Sequence, residues 1–174
     1  MGDDAELYWE MEHDPFFWNM VEEYNNPKRS STVSKRKKKN TALFIDGENI
    51  SHKKADSILS AAKKQGELYS ARVYGLQKDE CTKEWSKKAK EYSIKDIRLC
   101  GAPAKDKVDK KIQKDAYNEI VQEKNIDIVC IATSDNGYVN TVRKLREQGK
   151  RVVVIGEDKA PNELRNACNR FIEI

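Results

Sequence analysis

The chain has 174 residues, 36% of them charged and 38% hydrophobic, with a formal net charge of +4. That suits one ordinary domain with an appendage, and it leaves no apolar run near the roughly 18 residues of a membrane span. The acidic start lacks the basic flank of a signal peptide. Cys81, Cys100, Cys130 and Cys168 form no Cys-x-x-Cys pair, and a reducing, cytoplasmic compartment fits that usage.

Charge divides the chain. Residues 1–27 carry eight acidic and no Lys or Arg side chains, residues 28–39 carry seven basic and no acidic ones, and the remainder holds 26 basic and 21 acidic. A basic body suggests a polyanion partner. The first 26 residues are acidic yet aromatic. Asp14-Pro15 reads as a helix start, and Phe17, Met20, Val21 and Tyr24 follow a helical stripe. A short amphipathic helix is expected there, with residues 7–24 available to a protein partner or a second copy. Residues 27–40 read as a basic linker, or as a nuclear-import signal at 35–39 if the source is eukaryotic.

From residue 41 strands and helices alternate. Strands are expected at about 42–46, 67–75, 95–100, 127–133, 151–155 and 171–174. Between them the pattern predicts helices at about 53–64, 81–91, 107–124, 137–148 and 161–168, with Gly66 and Gly149 as caps. The helix at 81–91 reads as polar. Cys100 and Cys130 sit in apolar runs and read as buried. This alternation predicts a three-layer α/β/α fold on a mostly parallel sheet of five to six strands, Rossmann-like, over 41–174.

In such sheets the functional crevice lies outside the carboxyl ends of the strands. The first strand ends in Asp46 and the fourth runs into Asp135, and these two strands are expected to be central. Each aspartate alone reads as a cap for a turn. Two at one edge, with Asn49 and Ser134 alongside, point to a site for a hard divalent cation, Mg2+ or Mn2+. Asp109 opens the long helix, where it either complements the helix dipole or joins the site. Asp115, six residues on, is placed either behind the site or on the ordinary helix surface.

Four segments carry a family resemblance: Phe-Ile-Asp-Gly-Glu-Asn (44–49), Lys-Val-Asp-Lys-Lys-Ile-Gln-Lys-Asp-Ala (107–116), Thr-Ser-Asp-Asn-Gly-Tyr (133–138) and Val-Val-Val-Ile-Gly-Glu (152–157). In order and spacing, with the ending at 160–172, they resemble the NYN domain of the PIN-like ribonuclease group, in its LabA-like bacterial branch. The resemblance covers about 42–174. It implies metal-dependent hydrolysis of RNA phosphodiesters, with Asp46, Asp109 and Asp135 as metal carboxylates, Asp115 as a further family aspartate and Asn49 as support. RNA is the implied partner, in single-stranded or loop regions. One position departs: the family often has a second aspartate where this chain has Gly137.

RNA needs a positive track, and Lys53, Lys54, Lys105, Lys107, Lys110, Arg143, Arg165 and Arg170 are the candidates, each also readable as solvated surface. Tyr138 either stacks on a base or packs in the core. Two functions remain in play: an endoribonuclease, or an RNA- or protein-binding module that has lost catalysis, which Gly137 favours. A phosphatase or DNA nuclease is a third.

Overall fold

The structure, a computed structural model, describes residues 38–77, 80–100, 107–122 and 125–174. The acidic aromatic segment and nearly all of the basic linker therefore lie outside the described residues, as does Lys105.

Six strands form one sheet: β1 (Asn40–Asp46), β2 (Glu67–Leu76), β3 (Lys95–Leu99), β4 (Ile126–Ala132), β5 (Arg151–Gly156) and β6 (Arg170–Glu173). Their order is β3-β2-β1-β4-β5-β6, and every neighbouring pair is parallel. Five helices connect them: α1 (Ala55–Lys63), α2 (Glu80–Glu91), α3 (Lys107–Gln122), α4 (Val139–Glu147) and α5 (Asn162–Ala167). Short 3-10 turns at His52–Lys54 and Asn136–Tyr138 lead into α1 and α4, so the helices expected from 53 and 137 begin as tighter turns.

Both faces of the sheet are covered, which is why β1, β4 and β5 are almost continuously apolar. Leu43, Ile45, Val73 and Cys130 face α1 and α2, packing with Ile58, Leu59, Trp85 and Ala89. Phe44, Val129, Ile131 and Val154 face the other way, toward Val108 and Ile112 of α3, Val142 and Leu145 of α4 and Leu164 of α5. Polar pairs also seat α3: buried Glu119 bonds Ser70 and Arg72 of β2, and Asp115 accepts a hydrogen bond from the Tyr74 hydroxyl at 3.0 Å.

Two local expectations change. Gly149 ends α4 at φ 76°, with Gly149 N donating to Arg146 O and Lys150 N to Leu145 O, a Schellman closure. Gly66 is not such a cap. It lies where a Cβ would meet the Lys39 carbonyl and come within 2.8 Å of Thr41 Oγ1, so it is there for close approach to the start of β1. Cys130 is buried, but Cys100 is exposed because it follows β3, an edge strand, and its thiol faces Gln77 Oε1 at 3.0 Å.

Candidate active site

β1 and β4 are adjacent at the centre, and the connections leave them in opposite directions. This is the topological switch point, where a crevice opens at the strand ends. Asp46 is the last residue of β1, and Asp135 follows β4 by three residues. Asp109 arrives in the first turn of α3, on the sheet face that α3 shares with α4. Three separate elements thus deliver three carboxylates.

Tyr138 brings two of them together. Its side chain is fully buried, and its hydroxyl lies 3.2 Å from Asp46 Oδ2 and 3.0 Å from Asp109 Oδ1. A phenol has one proton, so it serves one carboxylate at a time. Burial, then the charges of Asp46 and Asp109, push the Tyr138 pKa up, so the phenol keeps that proton. Asp46 Oδ2 also receives the Thr133 hydroxyl at 3.2 Å, while Thr133 Oγ1 accepts the Asp135 backbone N–H at 3.2 Å. Burial first, and the neighbouring Asp109 second, raise the Asp46 pKa from 3.8 to about 7, against the opposing hydrogen bonds of Tyr138, Thr133 and Glu48.

Asp135 both caps and joins. Its Oδ1 accepts the Gly137 N–H at 2.7 Å, the capping role open to any aspartate at this position, and its Oδ2 lies 3.4 Å from Asn49 Nδ2. A Cβ at Gly137 would lie 3.2 Å from Asp135 Oδ1 and 3.5 Å from Asp109 Oδ2. These two carboxylates therefore border one small space, which the missing side chain leaves open. The donors around it are all oxygen, the set a hard divalent cation selects. Among the described residues, no group of three or more Asp, Glu, His or Cys side chains is placed closely enough to hold a metal ion as it stands.

The loop after β1 is held from behind. The Gly47 N–H donates to Tyr74 O at 2.9 Å, and a Cβ there would fall 2.7 Å from that oxygen and 3.1 Å from Trp85 Cδ1, so only glycine fits. Trp85 Nε1 donates to Ile50 O at 2.8 Å. A crevice of about 440 Å³ opens beside this loop, lined by Asn49, His52, Lys83 and Glu157 among others.

The remaining candidates scatter. Asp115 stands apart from the three carboxylates; its oxygens are taken by Tyr74 and by Lys111 at 2.7 Å. Ser134 Oγ accepts the Glu157 N–H at 2.9 Å and ties the β4 loop to β5. Lys107, in the first turn of α3, donates to Cys100 O, and Lys110 is exposed one residue past Asp109. Arg143 pairs with Glu163 and lines a hollow of about 730 Å³ with Arg146, Lys150 and Arg151, where α4 ends and β5 begins. Arg165 is bonded to Asp158 O and Glu173 and lies over Phe171 at 4.1 Å. Arg170 opens the edge strand β6 in register with Val153, level with the middle of β1 and three strands away from Asp46. The sequence does not single out Thr133, and for Tyr138 it does not show the role of the hydroxyl. Tyr138 packs in the core, as one of its two readings held, but its hydroxyl serves the carboxylates.

The NYN domain family model matches residues 40–174. The chain belongs to the NYN domain family. This domain has a PIN-like, nuclease-type fold. The chain is 27% identical over 165 residues to an uncharacterized protein of Methanocaldococcus jannaschii, covering 90% of this chain and 64% of that relative's length. It is also similar in fold to a Vibrio parahaemolyticus protein of unknown function, with a TM-score of 0.67 and 17% identity over 80% of this chain and 94% of that one. Among the described residues no helix of the NYN domain is long and apolar enough to cross a membrane.

Proposed function

We propose that the NYN domain is a divalent-metal-dependent endoribonuclease acting at Asp46, Asp109 and Asp135. The observation that carries this reading is the convergence of three carboxylates at the switch point, two of them against one buried hydroxyl. Such a set is unfavourable without a counter-charge, and Asp46 already carries the strain as a raised pKa. Asp46, Asp109 and Asp135 would hold Mg2+ or Mn2+, which when bound supplies charge stabilisation at a phosphodiester and an acidified water.

The protein's own groups orient this set. Tyr138 fixes Asp46 relative to Asp109, Thr133 links Asp46 to the Asp135 backbone, and Asn49 steers the second oxygen of Asp135. Tyr138, buried and protonated, is a positioning residue rather than a group that touches RNA.

Gly137 favours a second reading, an RNA- or protein-binding NYN domain that no longer cuts. An aspartate there would add a fourth carboxylate to the space between Asp109 and Asp135. One assay separates the two: incubation of single-stranded RNA, structured RNA and DNA with the full chain, with and without added Mg2+ or Mn2+. Metal-dependent RNA cleavage that falls about a hundredfold or more in Asp46→Asn supports the nuclease. RNA binding with no cleavage under any condition supports the binding module.

A further inference from the structure

α3 and α4 both start at the acid cluster and run away from it along the same face of the sheet. Between them lies a groove of about 590 Å³, lined by Lys110, Lys114 and Tyr117 of α3 and by Asn140, Lys144 and Leu145 of α4, among others. Lys110, Lys114 and Tyr117 fall at helical spacing, so one stripe of α3 faces the groove for two turns. Lys110 is next to Asp109 in sequence, and Asn140 follows Tyr138 by two residues, so the near end of the groove lies within about a helical turn of the acid cluster. Tyr117 is eight residues beyond Asp109, roughly 12 Å along the helix axis.

Two features distinguish this groove. Among the described residues, no ion pair or hydrogen bond engages the side chains of Lys110, Lys114 or Lys144, in contrast to Arg143 and Arg165. Tyr117 is 47% exposed, although a large aromatic at a helix surface gains most from burial. Three cations on the two walls, against the single acid Glu147 at the far end of α4, surround an accessible aromatic plane and match the needs of unpaired bases on a charged backbone. The groove's surface is more apolar than polar, but that apolar area comes from the Tyr117 ring, the single aliphatic Leu145 and the stems of long polar side chains, not from the row of aliphatic pockets a peptide helix would need.

We propose that this groove is the track that leads single-stranded RNA to the acid cluster, with Tyr117 stacking on a base and Lys110, Lys114 and Lys144 contacting phosphates. The choice of RNA rests on the nuclease reading of the aspartates. The groove is tested by binding alone, so the two can fail separately.

The experiment measures fluorescence anisotropy of a short labelled single-stranded RNA with the full chain in EDTA, where metal-dependent cleavage is off. Tyr117→Ala should weaken binding about tenfold, while Tyr117→Phe or Tyr117→Trp should restore it. Replacing Lys110, Lys114 and Lys144 together by Gln should reduce the slope of log affinity against log salt by about 2. Duplex RNA, whose bases are already stacked, should be insensitive to Tyr117→Ala. Photo-crosslinking of thiouridine-containing RNA should label 110–117 or 140–148. Unchanged affinity in Tyr117→Ala, an unchanged salt slope in the lysine variant, or equal Tyr117→Ala losses on single strand and duplex would each overturn the proposal. Crosslinks confined to other segments would overturn it too and leave the groove to a protein partner. Absence of RNA cleavage by the wild type with added Mg2+ or Mn2+, with groove-dependent binding intact, would strike the nuclease reading and spare the track.

Discussion

Asp46 is 1% exposed and faces a second carboxylate, so its ionisation works against the fold that holds it. Its pKa is raised from 3.8 to about 7, chiefly by burial. The native state therefore keeps a proton that the unfolded chain has released across this interval. The stability this proton confers is full below about pH 4 and is lost as pH rises through about 7. The loss is on the order of a few kcal/mol for a shift of this size. Urea midpoints of the metal-free protein at several pH values should fall across that window beyond what Asp46→Asn shows, because the amide has nothing to ionise. Added Mn2+ should offset the loss at pH 8 in the wild type and not in Asp46→Asn. Parallel pH curves for the two proteins would contradict the assignment of this strain to Asp46.

At the scale of elements, strand ends and helix starts were legible because the two patterns differ in period, and both aspartates were found by their place after apolar runs. The coupling behind them was not. A sequence shows that Tyr138 follows Asp135, but not that its ring turns inward and its hydroxyl reaches across to α3. Helix α2 shows the same gap. It reads as polar, yet its Trp85 is fully buried, because one large side chain seats a helix whose other faces are charged. Trp85 also holds the loop behind Asp46 through Ile50 O, and its ring fills the space a side chain at Gly47 would need. Trp85→Ala should cost about 3–5 kcal/mol in urea unfolding. Trp85→Phe keeps much of the volume but strands the Ile50 carbonyl, and should cost about 1–3 kcal/mol. Calorimetric titration should show both variants binding Mn2+ more weakly than wild type. Unaltered metal affinity in a folded Trp85→Phe would show that the loop holds Asp46 without this bond.

For the whole molecule the question is how charge outside the sheet bears on the site. Residues 40–174 carry 26 basic and 21 acidic side chains, the preceding 28–39 add seven basic ones, and 1–27 add eight acidic ones. Any RNA entering the groove between α3 and α4 therefore has a cationic stretch covalently attached to the domain that binds it. A tether of that length gives a millimolar-scale local concentration, so individually weak contacts are populated. Replacing the seven Lys and Arg of 28–39 by Gln should lower the salt slope of RNA binding by up to about 5, the limit if every cation meets a phosphate of a single strand. The acidic segment should act in the opposite sense if it competes for the same surface. Deleting residues 1–26 should then raise RNA affinity and cleavage, most at low salt, where charge is least screened. If the stripe of Phe17, Met20, Val21 and Tyr24 instead docks on a partner or a second copy, the deletion should change the mass measured by light scattering or the partner retained. RNA anisotropy, a cleavage assay and light scattering on the two variants check all of this. A salt slope unmoved by the Gln replacements would leave the basic stretch a plain linker. A deletion that moves neither affinity, cleavage, mass nor partner retention would make residues 1–26 an inert tail.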